Sequence, residues 1–142
     1  MSEQVEEHKG IFYIVGSRKE PERAKRWMDA MMKEGWANSY DWTLGLPPDP
    51  WPTDDPATNE ATKRVQAVLV SDLVWVLMSE EPDAEAHAEI GIALGANRLA
   101  QSLSIEELRL VVSGPHAKSV FSSLSEVRFD TDEQAFDHLT GW

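Results

Sequence analysis

Apolar residues fall along this chain into short unbroken runs separated by stretches of helical period. Ile11-Phe-Tyr-Ile-Val15 is a continuous β-rich run, the pattern of a strand covered on both faces. Gly16 to Pro21 is a turn, and Pro21 suits the first turn of a helix. Ala24, Trp27, Met28 and Met31 then recur at helical spacing until Gly35 ends the run. Trp36–Trp42 reads as a second strand. Ala57–Ser71 is predicted helical, with Ala61, Val65, Val68 and Leu69 on one face. Leu73–Met78 is a second buried-strand run. Ala84–Ala100 is predicted as a helix in which Gly91 and Gly95 form a small-residue stripe, read as close helix–strand packing.

The remainder repeats the pattern. Ser104-Ile-Glu-Glu107 has the form of a capping box opening a short helix. Leu108–Ser113 is a further strand, followed by Gly114-Pro115, and Val127–Phe129 is a short last one. Thr131-Asp-Glu-Gln134 is a second capping box, opening a helix through Ala135, Phe136 and Leu139. Alternating strands and helices imply an α/β domain over residues 10–142, a doubly wound parallel sheet of five strands with helices on both faces. Residues 1–9 read as a loose lead-in. Leu44–Pro56 carries five of the eight prolines, which block helix and central strand and suggest a binding loop or lid.

Composition narrows the chemistry. At 142 residues the chain is one ordinary domain, able to bury about 68–70% of its unfolded surface without staples. With no cysteine there are no disulfides, Cys-zinc sites, iron–sulfur clusters or thiol catalysis. A net charge of −12 argues against nucleic-acid partners and anionic membranes, which call for a basic face. Nothing in the sequence calls for a metal or an organic cofactor. Residues 1–9 are polar and acidic, unlike a targeting signal, and no apolar run is long enough to span a bilayer. The expected setting is soluble and cytoplasmic.

Ligands of doubly wound sheets bind at the carboxyl ends of the strands. Gly16, Ser17 and Arg18 stand there after the first strand: a close backbone approach and two donors. They form neither a dinucleotide fingerprint nor a P-loop. A phosphoacceptor receiver site is also absent, because Gly16-Ser17 and Met78-Ser79 stand where acids are needed. Glu89 is a lone carboxylate in a small, apolar helical segment, placed to point into the same crevice as Tyr13 and Arg18. Asp41 ends the second strand at that edge, either to accept from a base or sugar or to cap the turn. Trp42 and Trp51 could stack on a planar ligand, whereas Trp27 and Trp75 have core spacing. Asp72, at the opposite edge, reads as a turn or cap residue, and His87 as a surface residue.

Tyr13-x-x-Gly16-Ser17, Ser71-Asp72 and Glu89-x-Gly91-x-Ala93, with Gly114-Pro115, Val120-Phe121 and Phe129-Asp130, resemble the nucleoside 2-deoxyribosyltransferases. They equally resemble the related 2′-deoxynucleoside 5′-monophosphate N-glycosidases. The likeness runs over about residues 10–140. It implies a flavodoxin-like domain acting as a homodimer or higher oligomer on a small-molecule nucleoside or nucleotide. It implies attack by Glu89 on the anomeric carbon to give a covalent sugar–enzyme intermediate, with Tyr13 orienting the carboxylate. Gly16, Ser17 and Arg18 would line the sugar or its 5′ end, and Ser122 would reach a neighbouring subunit's phosphate.

Three features depart from the family pattern. Arg64 stands where an Asp assists departure of the base; Glu60, one turn earlier, either substitutes or pairs with Arg64. Asp83 replaces a phosphate-binding Ser, and about Asn97–Glu107 is an added segment. Residues 49–89 hold ten acidic and two basic residues, a local field that favours a neutral nucleoside over a nucleotide. A different class of function, a non-catalytic nucleoside- or nucleotide-binding module, fits the same scaffold, as does cleavage of nicotinamide from its dinucleotide.

Overall fold

A computed structural model describes residues 9–44, 54–81, 83–115 and 127–141, the side chains of 54–56 excepted. Five strands form one parallel sheet: β1 (Ile11–Val15), β2 (Ala37–Asn38), β3 (Leu73–Leu77), β4 (Arg109–Ser113) and β5 (Val127–Phe129). Their order is β2-β1-β3-β4-β5, the flavodoxin-like arrangement the sequence predicts. Tyr13 pairs with Val74 and Ile14 with Trp75, and Trp75 in turn pairs with Val111. The central strand β3 is buried at every residue, as its unbroken apolar run requires.

Four helices are described: α1 (Pro21–Lys33), α2 (Asp54–Val70), α3 (Ala84–Ser102) and α4 (Asp132–Thr140). α1 and α4 share one face, where the Trp27 ring meets Trp75 and Phe136, each with centroids 5.3 Å away. The side chains of Tyr13 and Val15 point to the other face, toward α2 and α3, because strand side chains alternate. α4 opens with the capping box expected at Thr131 and Gln134.

The second strand is shorter than expected, two residues rather than seven. After Asn38 the chain turns: Asp41 accepts from the Thr43 amide, and Trp42 folds back into the core, donating its indole N–H to the Ile14 carbonyl at 2.7 Å. Gly16 makes room for that ring, since a Cβ there would lie 3.2 Å from it. Gly114 ends β4 at φ 115°, and a side chain there would strike the Met78 carbonyl.

Three further expectations are corrected. α2 is rotated from the predicted face: Arg64, Ala67 and Val68 are buried, whereas Val65 and Leu69 are exposed. Gly91 and Gly95 pack against nothing, for a Cβ at either would meet no atom within 4 Å. No helix begins at Ser104. α3 runs on to Ser102, Ser104 takes φ 55°, and Asn97 clamps the returning chain by bonds to both the N–H and the C=O of Leu108. Among the described residues no helix is long and apolar enough to cross a membrane.

Candidate active site

Tyr13 and Glu89 come together across 76 residues of sequence. The Tyr13 hydroxyl donates to Glu89 Oε1 at 2.7 Å, and both side chains are buried. The pairing follows from the fold. Tyr13 stands on the α2/α3 face of β1, and Glu89 lies on the inward side of α3 with Ala86, Ile90 and Ala93. Asp83 caps that helix by accepting from the Glu85 and Ala86 amides, which fixes where its first turns begin.

A third residue completes the group. Arg64 of α2 is 7% exposed, and its guanidinium donates to Glu60 and Glu85, each at 3.0 Å. Glu60 also accepts from the Tyr40 hydroxyl at 2.6 Å. The guanidinium lies 5.6 Å over the Trp42 ring. Arg64, Glu60, Glu85 and Glu89 line one cavity of about 320 Å³ between α2 and α3.

Burial sets the acid–base character. Removal from water pushes the Glu89 carboxyl up to about 7, against the opposing hydrogen bond from Tyr13 and the charge of Arg64; Glu85 and Asp83 add to the rise. Tyr13 is pushed far above its ordinary range by burial and then by Glu89. For Arg64, burial opposes the charged form, but Glu89 and Glu60 outweigh it and strengthen the cation. A buried carboxyl with a raised pKa, beside one hydrogen-bond donor and a cation, is the kind of environment in which nucleophiles and proton carriers are found.

The other anticipated residues divide. Ser17 and Arg18 line a second, larger cavity of about 680 Å³ together with Lys19, Arg23, Glu80, Glu81 and Asp83, and Lys19 donates to Glu81 at 3.2 Å. Glu85 lines both cavities and so marks where they adjoin. The Ser17 hydroxyl accepts from the Lys19 amide within its own turn. Asp41 binds Lys25 at 2.7 Å as well as Thr43, so its carboxylate is taken up in tying the turn to α1. Trp42 offers no open face for stacking: it is 2% exposed, beneath Gly16. Gly16 thus serves core packing. Asp72 accepts from the Ile11 amide at the amino edge, the turn role expected of it. Ser122 and Trp51 lie outside the described residues.

Of the two residues expected to share a crevice with Glu89, Tyr13 does so by its hydrogen bond, whereas Arg18 lines the other cavity and the cation beside Glu89 is Arg64. The signal was present as Arg64 one turn after Glu60, a pair that forms as the i,i+4 reading allowed.

No protein-family model matches the sequence, and no curated protein sequence matches it. Several solved structures are similar, among them two enzymes. One is a 2-deoxyribosyltransferase from Bacillus psychrosaccharolyticus, at a TM-score of 0.66 and 9% identity, covering 93% of this chain and 91% of the other. The second is a CMP N-glycosidase from Clostridium botulinum, at a TM-score of 0.54 and 13% identity, covering 93% and 99%. The chain shares their fold. That fold matches the resemblance carried by the short motifs around Tyr13, Asp72 and Glu89.

Proposed function

We propose that the protein cleaves or transfers at the N-glycosidic bond of a nucleoside or nucleotide, with Glu89 as nucleophile. The observation that carries this reading is the buried 2.7 Å contact between Tyr13 and Glu89 beside a cavity. The shared fold with a deoxyribosyltransferase and an N-glycosidase supports it. Tyr13 holds Oε1, and among the described residues nothing else hydrogen-bonds Glu89, which leaves Oε2 for the anomeric carbon. Attack there gives a glycosyl ester, and water or a second base then resolves it.

Ser17 and Arg18 would meet the sugar or its 5′ end from the adjoining cavity. Acidic residues outnumber basic ones in the lining of that cavity, a balance that favours a neutral 5′ hydroxyl over a phosphate. Exposed Val65 at the Glu89 cavity, with exposed Leu69 and Leu99 farther along α2 and α3, suits a homodimer that covers these helices.

The test is incubation with the four deoxynucleosides and their monophosphates, with and without added free base, following base by chromatography. The reading expects release or exchange that disappears in Glu89→Ala. Identical behaviour of both proteins would end it. Arg64, in place of a proton-donating acid, favours a second reading, a binding module without turnover. Saturable nucleoside binding with no base release would select that reading.

A further inference from the structure

The guanidinium of Arg64 is not fully used by the protein. Nε reaches Glu60 and Nη1 reaches Glu85, but Nη2 is buried and has no hydrogen-bond partner. A buried charged donor without an acceptor is uncommon, because nothing replaces the water it has lost. The guanidinium is also held in place, by the two carboxylates and by the Trp42 ring beneath it. Arg64 lines the same cavity as Glu89. The other two acids of that cavity, Glu60 and Glu85, face Arg64 as acceptors, and Glu60 accepts from Tyr40 as well, so neither presents a proton to a departing group.

Resting on the N-glycosidic reading above, we propose that Arg64 is a catalytic residue that stabilises the departing base as an anion, by donation from Nη2, without transferring a proton. The substrate class follows from the chemistry. A base suits this site when the negative charge left on its glycosidic nitrogen is shared with an adjacent carbonyl oxygen that can accept from a guanidinium. The 2-oxopyrimidines with a ring imide, uracil and thymine, meet that condition. Purines, which leave well only when protonated on the ring, do not.

The step balances as follows. Glu89 Oε2 forms a bond to the anomeric carbon while the carbon–nitrogen bond breaks, its electron pair passing to the base. Arg64 holds the resulting anion. Water then attacks the glycosyl ester, its hydroxide joins the sugar, the Glu89 carboxylate is regenerated, and the remaining proton goes to the base. A preorganised cationic donor aimed at developing charge is worth about 10²-fold or more in rate.

The experiment compares thymidine, deoxyadenosine and a nitrophenyl 2-deoxyriboside, whose leaving group needs no assistance, in wild type, Arg64→Met and Arg64→Lys. Wild type is expected to turn over thymidine faster than deoxyadenosine. Arg64→Met should lose about 10²-fold in kcat/KM on thymidine and only a few-fold on the nitrophenyl substrate, with Arg64→Lys between them. Equal losses on both substrates, or none, would overturn the proposal while leaving the glycosidic reading intact. No turnover of any substrate by wild type would overturn both. Should the variants fail to fold, wild type alone decides: with thymidine, kcat/KM should rise with pH and stay level to about pH 9, whereas a falling limb would reveal a proton donor and sink the idea.

Discussion

Asp132 and Glu89 are both buried carboxylates near an arginine, on opposite faces of one sheet, and they differ in the number of donors around them. Asp132, at the start of α4, accepts from Arg23 Nε at 2.7 Å, Arg23 Nη2 at 2.8 Å, Trp27 Nε1 at 3.1 Å and the Ser113 hydroxyl at 2.7 Å. Burial would raise its carboxyl, but the bonds from Arg23 and Ser113 win and hold it below the ordinary range. Glu89 has one donor, Tyr13, and there burial wins. The carboxylate whose oxygens are saturated is held ionised as a structural anchor, whereas the more deeply buried one with a single donor keeps a raised pKa, as suits the proposed nucleophile.

Exchange of each carboxylate separates the two roles. Glu89→Gln should abolish activity, by at least about 10³-fold in steady-state turnover, while the protein melts at or above the wild-type temperature. Asp132→Asn should do the reverse. It leaves the half-buried Arg23 beside a neutral amide and should cost about 2 kcal/mol in denaturant unfolding, with activity surviving in the folded fraction. A catalytic loss in Asp132→Asn out of proportion to its unfolding would break the contrast.

The pH dependence of stability should carry opposite signs. The folded pKa of Glu89 lies above its ordinary 4.5, so its contribution is full below that pH and is lost as pH rises through about 7. The shift corresponds to a loss on the order of 3 kcal/mol across that window, absent in Glu89→Gln. The folded pKa of Asp132 lies below its ordinary 3.8, so its contribution holds above that pH and is lost as pH falls through the lowered value. Unfolding curves at several pH values for wild type and Glu89→Gln check both signs.

A smaller effect sharpens the role of the single donor. Tyr13→Phe removes the one hydrogen bond that lowers the Glu89 pKa. The rising limb of kcat/KM, expected near pH 7 in wild type, should move upward, with about a tenfold loss at neutral pH. An unmoved limb would mean that Tyr13 does not orient the nucleophile.

The two regions also show what the sequence could reveal. The strands were legible because β1 and β3 are unbroken apolar runs and β4 is largely one, the flavodoxin-like order followed from the family resemblance, and Glu89 stood out as a carboxylate among small apolar neighbours. Helix faces were less legible. The Ala61, Val65, Val68 and Leu69 spacing suggested a core face, of which Val68 is buried, but α2 turns to bring Arg64 inward, and a charged residue gives no such signal until its partners are placed. Trp42 was read as a ligand platform for the same reason: its neighbour, the gap at Gly16, is remote in sequence. The Asp132 cluster was invisible beyond its capping box, since Arg23 and Trp27 of α1 and Ser113 of β4 converge on it from two elements remote in sequence.

The claim that Glu89 is the nucleophile is tested most directly by trapping. A nucleoside bearing fluorine at the sugar's 2′ carbon slows the second displacement, so the glycosyl ester should accumulate. Intact-protein mass should rise by one fluorosugar, and fragmentation should place it on Glu89, while Asp132 remains unmodified. Release of base with no adduct, or an adduct on any other residue, would contradict the account.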